Sequence, residues 1–314
     1  MKIIDLHCDT LDKLAEVEGS ELKENIFSVD INKLKKSNYL AQFFALFVDR
    51  NDHPDIQAWA LELVRIFKKE MLKNSDSVKQ AFSYSDILEN ENKGLISSVL
   101  TIEEGAVIQG DLENLKGFYE LGVRLITLTW NYPNEIGYPN YLWKYSNEGL
   151  TDFGLQLIDA MNEMGIIIDV SHLSDRGFYD VAARSRAPFI ASHSNARSIT
   201  NNPRNLTDDM IKILADRGGL TGLNFFSGFL GEYNIATVED MVKHVKHIYK
   251  IGGIDVLALG SDFDGISTPV EFEDCSKMDV LYNSLIKNGF SEDEADKIFY
   301  KNALRVIKEV MKNE

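Results

Sequence analysis

Histidine and carboxylate side chains recur in this chain at places where they could share a cation. His7 and Asp9 lie two residues apart, just after the apolar run Ile3-Ile4-Asp5-Leu6. A strand has a period of two, so both side chains point to one face and Cys8 to the other. Alone, His-x-Asp is weak, because most such triplets are ordinary loop residues. Further on, Glu103 and Glu104 follow the run 95–100, His172 follows 166–170, His193 follows 189–191, and Asp262 and Asp264 follow 256–259. Three of only six histidines thus stand at the ends of apolar runs. This mix of imidazole and carboxylate suits zinc or another divalent first-row metal. His7, Asp9, Glu103, His172 and His193 are one ligand more than a four-ligand structural zinc site uses. They match two ions that share a carboxylate and keep positions open for water. Such a pair can lower the pKa of a shared water and polarise a carbonyl. Asp262 could then take a proton from the attacking water and pass it to a leaving amine. On spacing alone, Asp262 and Asp264 read equally well as a polar turn.

The other three histidines fit that pattern less well. His244 and His247 are spaced i, i+3 on a predicted helix at 238–249 and read as a solvated helix face. His53, before Pro54 in a polar loop, reads as a surface residue.

The elements that must position these groups are legible as short runs rich in β-branched and apolar residues. They fall at 3–6, 40–48, 95–100, 123–129, 166–170, 189–191, 220–225 and 256–259. Amphipathic stretches of helical period lie between most of them, at 56–72, 112–121, 153–164, 176–184, 207–215 and 238–249, with a final helical region at 276–312. Thr151, Ser174 and Thr207 stand where N-caps belong. Gly122, Gly165 and Gly218 or Gly219 stand where helices end before the next strand. Eight strands alternating with helices predict a (β/α)8 TIM-type barrel, whose catalytic groups gather at the C-terminal ends of its strands. An open doubly wound sheet competes, but no GxGxxG follows the first strand. No linker or internal repeat divides the chain, so residues 1–314 are expected to form one domain. The stretch 130–149, rich in Asn, Tyr and Pro, reads as a long loop shaping the site.

Composition narrows the partners. The formal net charge is −16, from 49 acidic and 33 basic residues, which disfavours nucleic acid and anionic membrane as partners. Cys8 and Cys275 are the only cysteines, too few for a disulfide framework. No signal-like leader, lipidation motif or membrane-length apolar stretch is visible, and a soluble cytoplasmic protein is expected.

With these residues in view, the chain resembles the membrane (renal) dipeptidase family, peptidase family M19. The matching phrases are Asp5-Leu6-His7-Cys8-Asp9, Ile102-Glu103-Glu104-Gly105, Leu125-Ile126-Thr127-Leu128-Thr129, Asp169-Val170-Ser171-His172, Ser192-His193-Ser194, Arg204-Asn205 and Gly260-Ser261-Asp262-Phe263-Asp264-Gly265. The likeness extends to Asn302-Ala303-Leu304-Arg305-Val306. It implies an amidohydrolase-like barrel with two Zn2+ ions per chain that hydrolyses dipeptides, some with a C-terminal D-residue. His7 and Asp9 would hold one ion, His172 and His193 the other, and Glu103 would bridge them. Asp262 would be the acid/base. Arg204 would bind the dipeptide's terminal carboxylate, a task suited to a guanidinium fork; by sequence it could equally be a surface arginine. Family analogy also implies a homodimer. Two positions depart from the pattern: Glu104 replaces a glycine, and Trp130 stands where mammalian members have a substrate-contacting histidine. Glu103 is preferred to Glu104 as the bridge on register. Two other readings stay open. One keeps the metal site but takes another small amide, a lactam or an ester. The other, suggested by Trp130 alone, is a catalytically silent binding barrel.

Overall fold

Residues that are apolar on both faces form the strands of the protein, as seen in a computed structural model that describes residues 1–231 and 234–312. The strands are β1 (Ile3–Asp5), β2 (Tyr39–Phe47), β3 (Val78–Gln80), β4 (Ile96–Glu103), β5 (Val123–Thr127), β6 (Ile167–Asp169), β7 (Ile190–Ala191), β8 (Leu220–Leu223) and β9 (Leu257–Leu259). Every residue of β4 is buried, as parallel strands covered on both sides require.

All pairings between these strands are parallel, in the order β2-β1-β9-β8-β7-β6-β5-β4-β3. An additional ladder between β2 and β4, from Ala41↔Ser97 to Phe47↔Glu103, closes eight of the strands into a barrel. This closing ladder rules out the open doubly wound sheet. β3 lies outside the closed ring. It pairs only with the first residues of β4, Val78↔Ile96 to Gln80↔Ser98, below the level where β5 joins at Leu100↔Val123. Sequence periodicity missed β3 because three residues are too few to show a period. It also missed the helices Thr10–Glu16, Ile31–Lys36 and Tyr84–Asn92.

Side-chain alternation sorts the core into two layers. Ile4, Phe43, Val99, Leu125, Ile167, Ile190 and Ala258 pack inside the barrel, whose lower end receives Ala303, Val306 and Ile307 of the helix Asn302–Val310. Their strand neighbours Ile3, Phe44, Leu100, Ile126 and Ile168 pack outward against the helices. The caps hold as the sequence suggests. Thr151, Ser174 and Thr207 accept from the backbone N–H of Gly154, Gly177 and Met210, and Gly122 and Gly165 end their helices at positive φ. Gly222 and Gly260 are needed for another reason. A Cβ on either would lie within 1.9 Å of the Ser192 carbonyl oxygen, so only glycine lets β8 and β9 approach β7 there.

Candidate metal centre

Strand register aims the ligand candidates. Val99 faces inward, so Glu103, four residues on, does too, whereas Glu104 falls off that face. On β1 the alternation switches. Leu6 packs inside and Cys8 outside, which turns His7 and Asp9 together toward the mouth. A parallel bridge between Cys8 and Phe263 continues the pairing of β1 with β9 beyond the strands and brings Asp262 alongside.

The five side chains converge. His7 Nε2 lies 3.4 Å from Asp9, 3.2 Å from Glu103 and 3.8 Å from Asp262. The other oxygen of Glu103 lies 3.1 Å from His172 Nε2 and 3.5 Å from His193 Nε2. The two histidine nitrogens are 3.1 Å apart. Glu103 therefore sits between a His7–Asp9 side and a His172–His193 side. His7, Glu103 and His193 form one group able to hold an ion, and His7, Asp9 and Asp262 another. Both ring nitrogens of His7, Oδ1 of Asp9 and Nδ1 of His172 are buried and make no hydrogen bond. Buried polar atoms without partners are costly, so this donor set fits a cation.

A layer of hydrogen bonds beneath the cluster orients it. Asp169 accepts from Thr127 Oγ1 (2.6 Å), Ser171 N (2.9 Å), Ser192 N (2.8 Å) and Ser192 Oγ (2.5 Å). The single hydroxyl proton of Ser192 goes to Asp169, so the hydroxyl oxygen accepts from His193 Nδ1–H at 2.7 Å. That leaves the Nε2 lone pair of His193 facing Glu103. Asp5 does the matching work under β9, accepting from Ser261 N and Oγ at 2.8 and 2.6 Å. Asn224 Nδ2 donates to Asp262 Oδ2 at 2.8 Å. Sequence reading quoted Asp5, Asp169, Ser192 and Ser261 inside its phrases but gave them no role, and it missed Asn224. For all but Asn224 the signal is a polar residue one to three positions before a ligand candidate or Asp262.

The charges interact strongly. Burial opposes a charged His7, but the Glu103 and Asp9 carboxylates outweigh it and raise its pKa well above the ordinary value. Burial and then Arg204 lower His172 to about 4, and burial and then His7 lower His193 well below its usual range. Burial would raise Glu103, yet the charge of His7 and the neighbouring imidazoles hold it well below the carboxylate range. Burial, reinforced by Asp9 and Glu103 against the pull of His7, raises Asp262 to about 8.

Arg204 is not on the surface. It is buried, and its guanidinium lies 5.2 Å from the Phe229 ring centre. Its Nη atoms make only long 3.4 Å contacts, to Ser194 Oγ and the His193 carbonyl, and Nε has no partner. Arg204 and Trp130 line one cavity of about 400 Å3 together with Asp9, Glu103, His172 and Asp262.

Two sequence readings need correction, those of His244 and His53. His244 is not solvated but fully buried, where Nδ1 accepts from Ala196 N at 3.1 Å and Nε2–H donates to the Leu230 carbonyl at 3.0 Å. His247 does face outward and pairs with Asp208 at 2.7 Å. His53 is half-buried and stacks on Trp59 with ring centres 3.7 Å apart. Asp264 does not join the ligands; its carboxylate accepts from Thr10 Oγ1 and Ser28 N.

The model of the membrane dipeptidase family matches residues 1–314. The chain belongs to peptidase family M19. It is 30% identical over 296 residues to an uncharacterized dipeptidase of Schizosaccharomyces pombe, covering 89% of this chain and 71% of that one. The solved structure of the metallo peptidase dipeptidase AC, of the same family, matches with a TM-score of 0.92 at 25% identity over 99% of both chains. A metallo peptidase of Rhodobacter sphaeroides, liganded with a phosphinate mimic of L-Ala-D-Ala, matches with a TM-score of 0.90 at 24% identity, also over 99% of both. As an M19 member the protein is a metal-dependent dipeptidase. Among the described residues no helix is long and apolar enough to cross a membrane.

Proposed function

We propose that this M19 dipeptidase works with two zinc ions, held by His7 and Asp9 on one side and His172 and His193 on the other, with Glu103 between. Bound there, the ions supply an activated water and a polarised carbonyl. The chain's own groups do the rest. Arg204 takes the substrate's terminal carboxylate in its two free fork directions, and Phe229 packs on its guanidinium. Asp262, on the same cavity beside His7, can both accept a proton and return it to the leaving amine. Asn224 holds the orientation of that carboxyl.

The observation that carries this reading is the convergence of all five ligand candidates around Glu103, where Asp9, Glu103 and His172 open onto one cavity with Asp262 and Arg204. The D-alanyl mimic bound by the Rhodobacter relative supports C-terminal D-residues as substrates to test first. Purified protein loaded with two equivalents of zinc should hydrolyse members of an L,L and L,D dipeptide panel. Zinc binding without hydrolysis of any member would overturn the proposed substrate class, and one equivalent of tightly held metal would overturn the two-ion count.

A further inference from the structure

Glu104 occupies a backbone conformation that side chains rarely adopt, with φ at +85°. Its side chain is fully buried and spans three loops. It accepts from Ala106 N at 3.0 Å, Asn134 Nδ2 at 2.6 Å and Trp130 N at 3.3 Å. Arg50, on the segment after β2, approaches the same carboxylate at 3.8 Å and covers the Tyr132 ring. One carboxylate thus ties the ends of β2, β4 and β5 together. The result is visible in the rings, because Trp130 meets Phe47 edge-on with centres 5.0 Å apart and both line the cavity.

Position around the barrel says what this corner would touch. Phe47 ends β2 and Trp130 follows β5, flanking β4 and Glu103. Arg204 follows β7 and Phe229 follows β8, across the ring. A dipeptide with its carboxylate at Arg204 and its amide over Glu103 therefore extends its N-terminal residue toward Phe47 and Trp130. We propose that the Phe47–Trp130 corner, positioned by Glu104, is the subsite for the substrate's N-terminal side chain and selects large apolar side chains, aromatic ones above all. The Glu104 carboxylate is already engaged by its donors and offers nothing to a cationic side chain. This assignment rests on the dipeptide orientation proposed above.

The test compares kcat/KM of the zinc-loaded enzyme on Phe-D-Ala, Leu-D-Ala and Ala-D-Ala. The expected preference for Phe over Ala is about tenfold or more, as for several methylenes entering an apolar pocket. Trp130→Ala should bring the ratio to about one. Glu104→Gln keeps the volume, but an amide can accept at only one of its two ends, so one anchor is lost and the ratio should fall. Trp130 position is read separately in a Trp59→Phe/Trp143→Phe background, where it is the sole indole. There Glu104→Gln should shift its emission to the red and increase acrylamide quenching. A wild-type ratio near one, a ratio that survives Trp130→Ala, or unchanged ratio and emission in Glu104→Gln would overturn the proposal alone. Activity on none of the three peptides would overturn the dipeptide orientation, and this subsite with it.

Discussion

At the floor of the cavity Glu103 and Asp169 reach inward because Val99 and Ile167 below them do, whereas on the rim Trp130 and Leu142 are placed by loops. Leu142 lines the same cavity at φ +50° and is 69% exposed, while Glu103 is 3% exposed. The floor is an extension of strand alternation and inherits the rigidity of the core. The rim depends on individual hydrogen bonds such as those of Glu104. Chemistry that must stay fixed sits on the floor, and selectivity sits where single residues can change it without disturbing the strands.

Breaking the floor should have the largest consequences. Glu103→Ala removes the proposed shared ligand, and both metal content and hydrolysis should drop to background, as read by elemental analysis and a peptide assay. Asp262→Asn should keep the metal content and lower kcat by roughly 10²–10⁴-fold; an unchanged kcat would remove Asp262 from proton transfer. Arg204→Lys keeps the charge but loses the fork, and kcat/KM should fall by roughly 10–100-fold, mostly through KM. Ser192→Ala leaves every ligand in place and frees His193 Nδ1, so zinc affinity measured by chelator competition should fall about 10–100-fold. The smallest effect concerns Asp12, a rim carboxyl raised to about 7 by burial and then by Glu16 and Asp9. Its folded pKa exceeds the unfolded one, so its stabilising contribution is full below about 3.8 and is lost as pH rises through about 7. Asp12→Asn should therefore raise Tm at pH 8, by about 2–4 °C, and have much less effect at pH 4.

How much of this was legible in the sequence follows the same division. His7, Asp9, Glu103, His172 and His193 could be listed because ligand types at strand ends are a one-dimensional pattern, and period two also separates Glu103 from Glu104. The closing ladder of β2 with β4 could not be read, since it skips β3 and joins residues as far apart as Ala41 and Ser97. His244 was misread because helical spacing says which residues share a face but not which face is covered; here the segment at Ala196 and Leu230 covers it. Arg204 was ambiguous for the same reason, because its burial comes from Phe229 and the residues around His193. The work of Glu104 was invisible, since it depends on loops from three different strands meeting.

The clasp made by His244 has a consequence for acid. Its imidazole joins Ala196, on the segment that leads to Arg204, to Leu230, next to Phe229, and it can do so only while neutral, because Nδ1 must accept. Burial lowers its pKa to about 4, so the contribution is complete above the ordinary histidine value of 6.5 and disappears as pH falls through about 4. Below that point the Ala196 amide loses its acceptor, and the carboxylate end of the cavity should loosen ahead of the barrel. The change would be seen as faster exchange at the Ala196 amide while the strands remain protected.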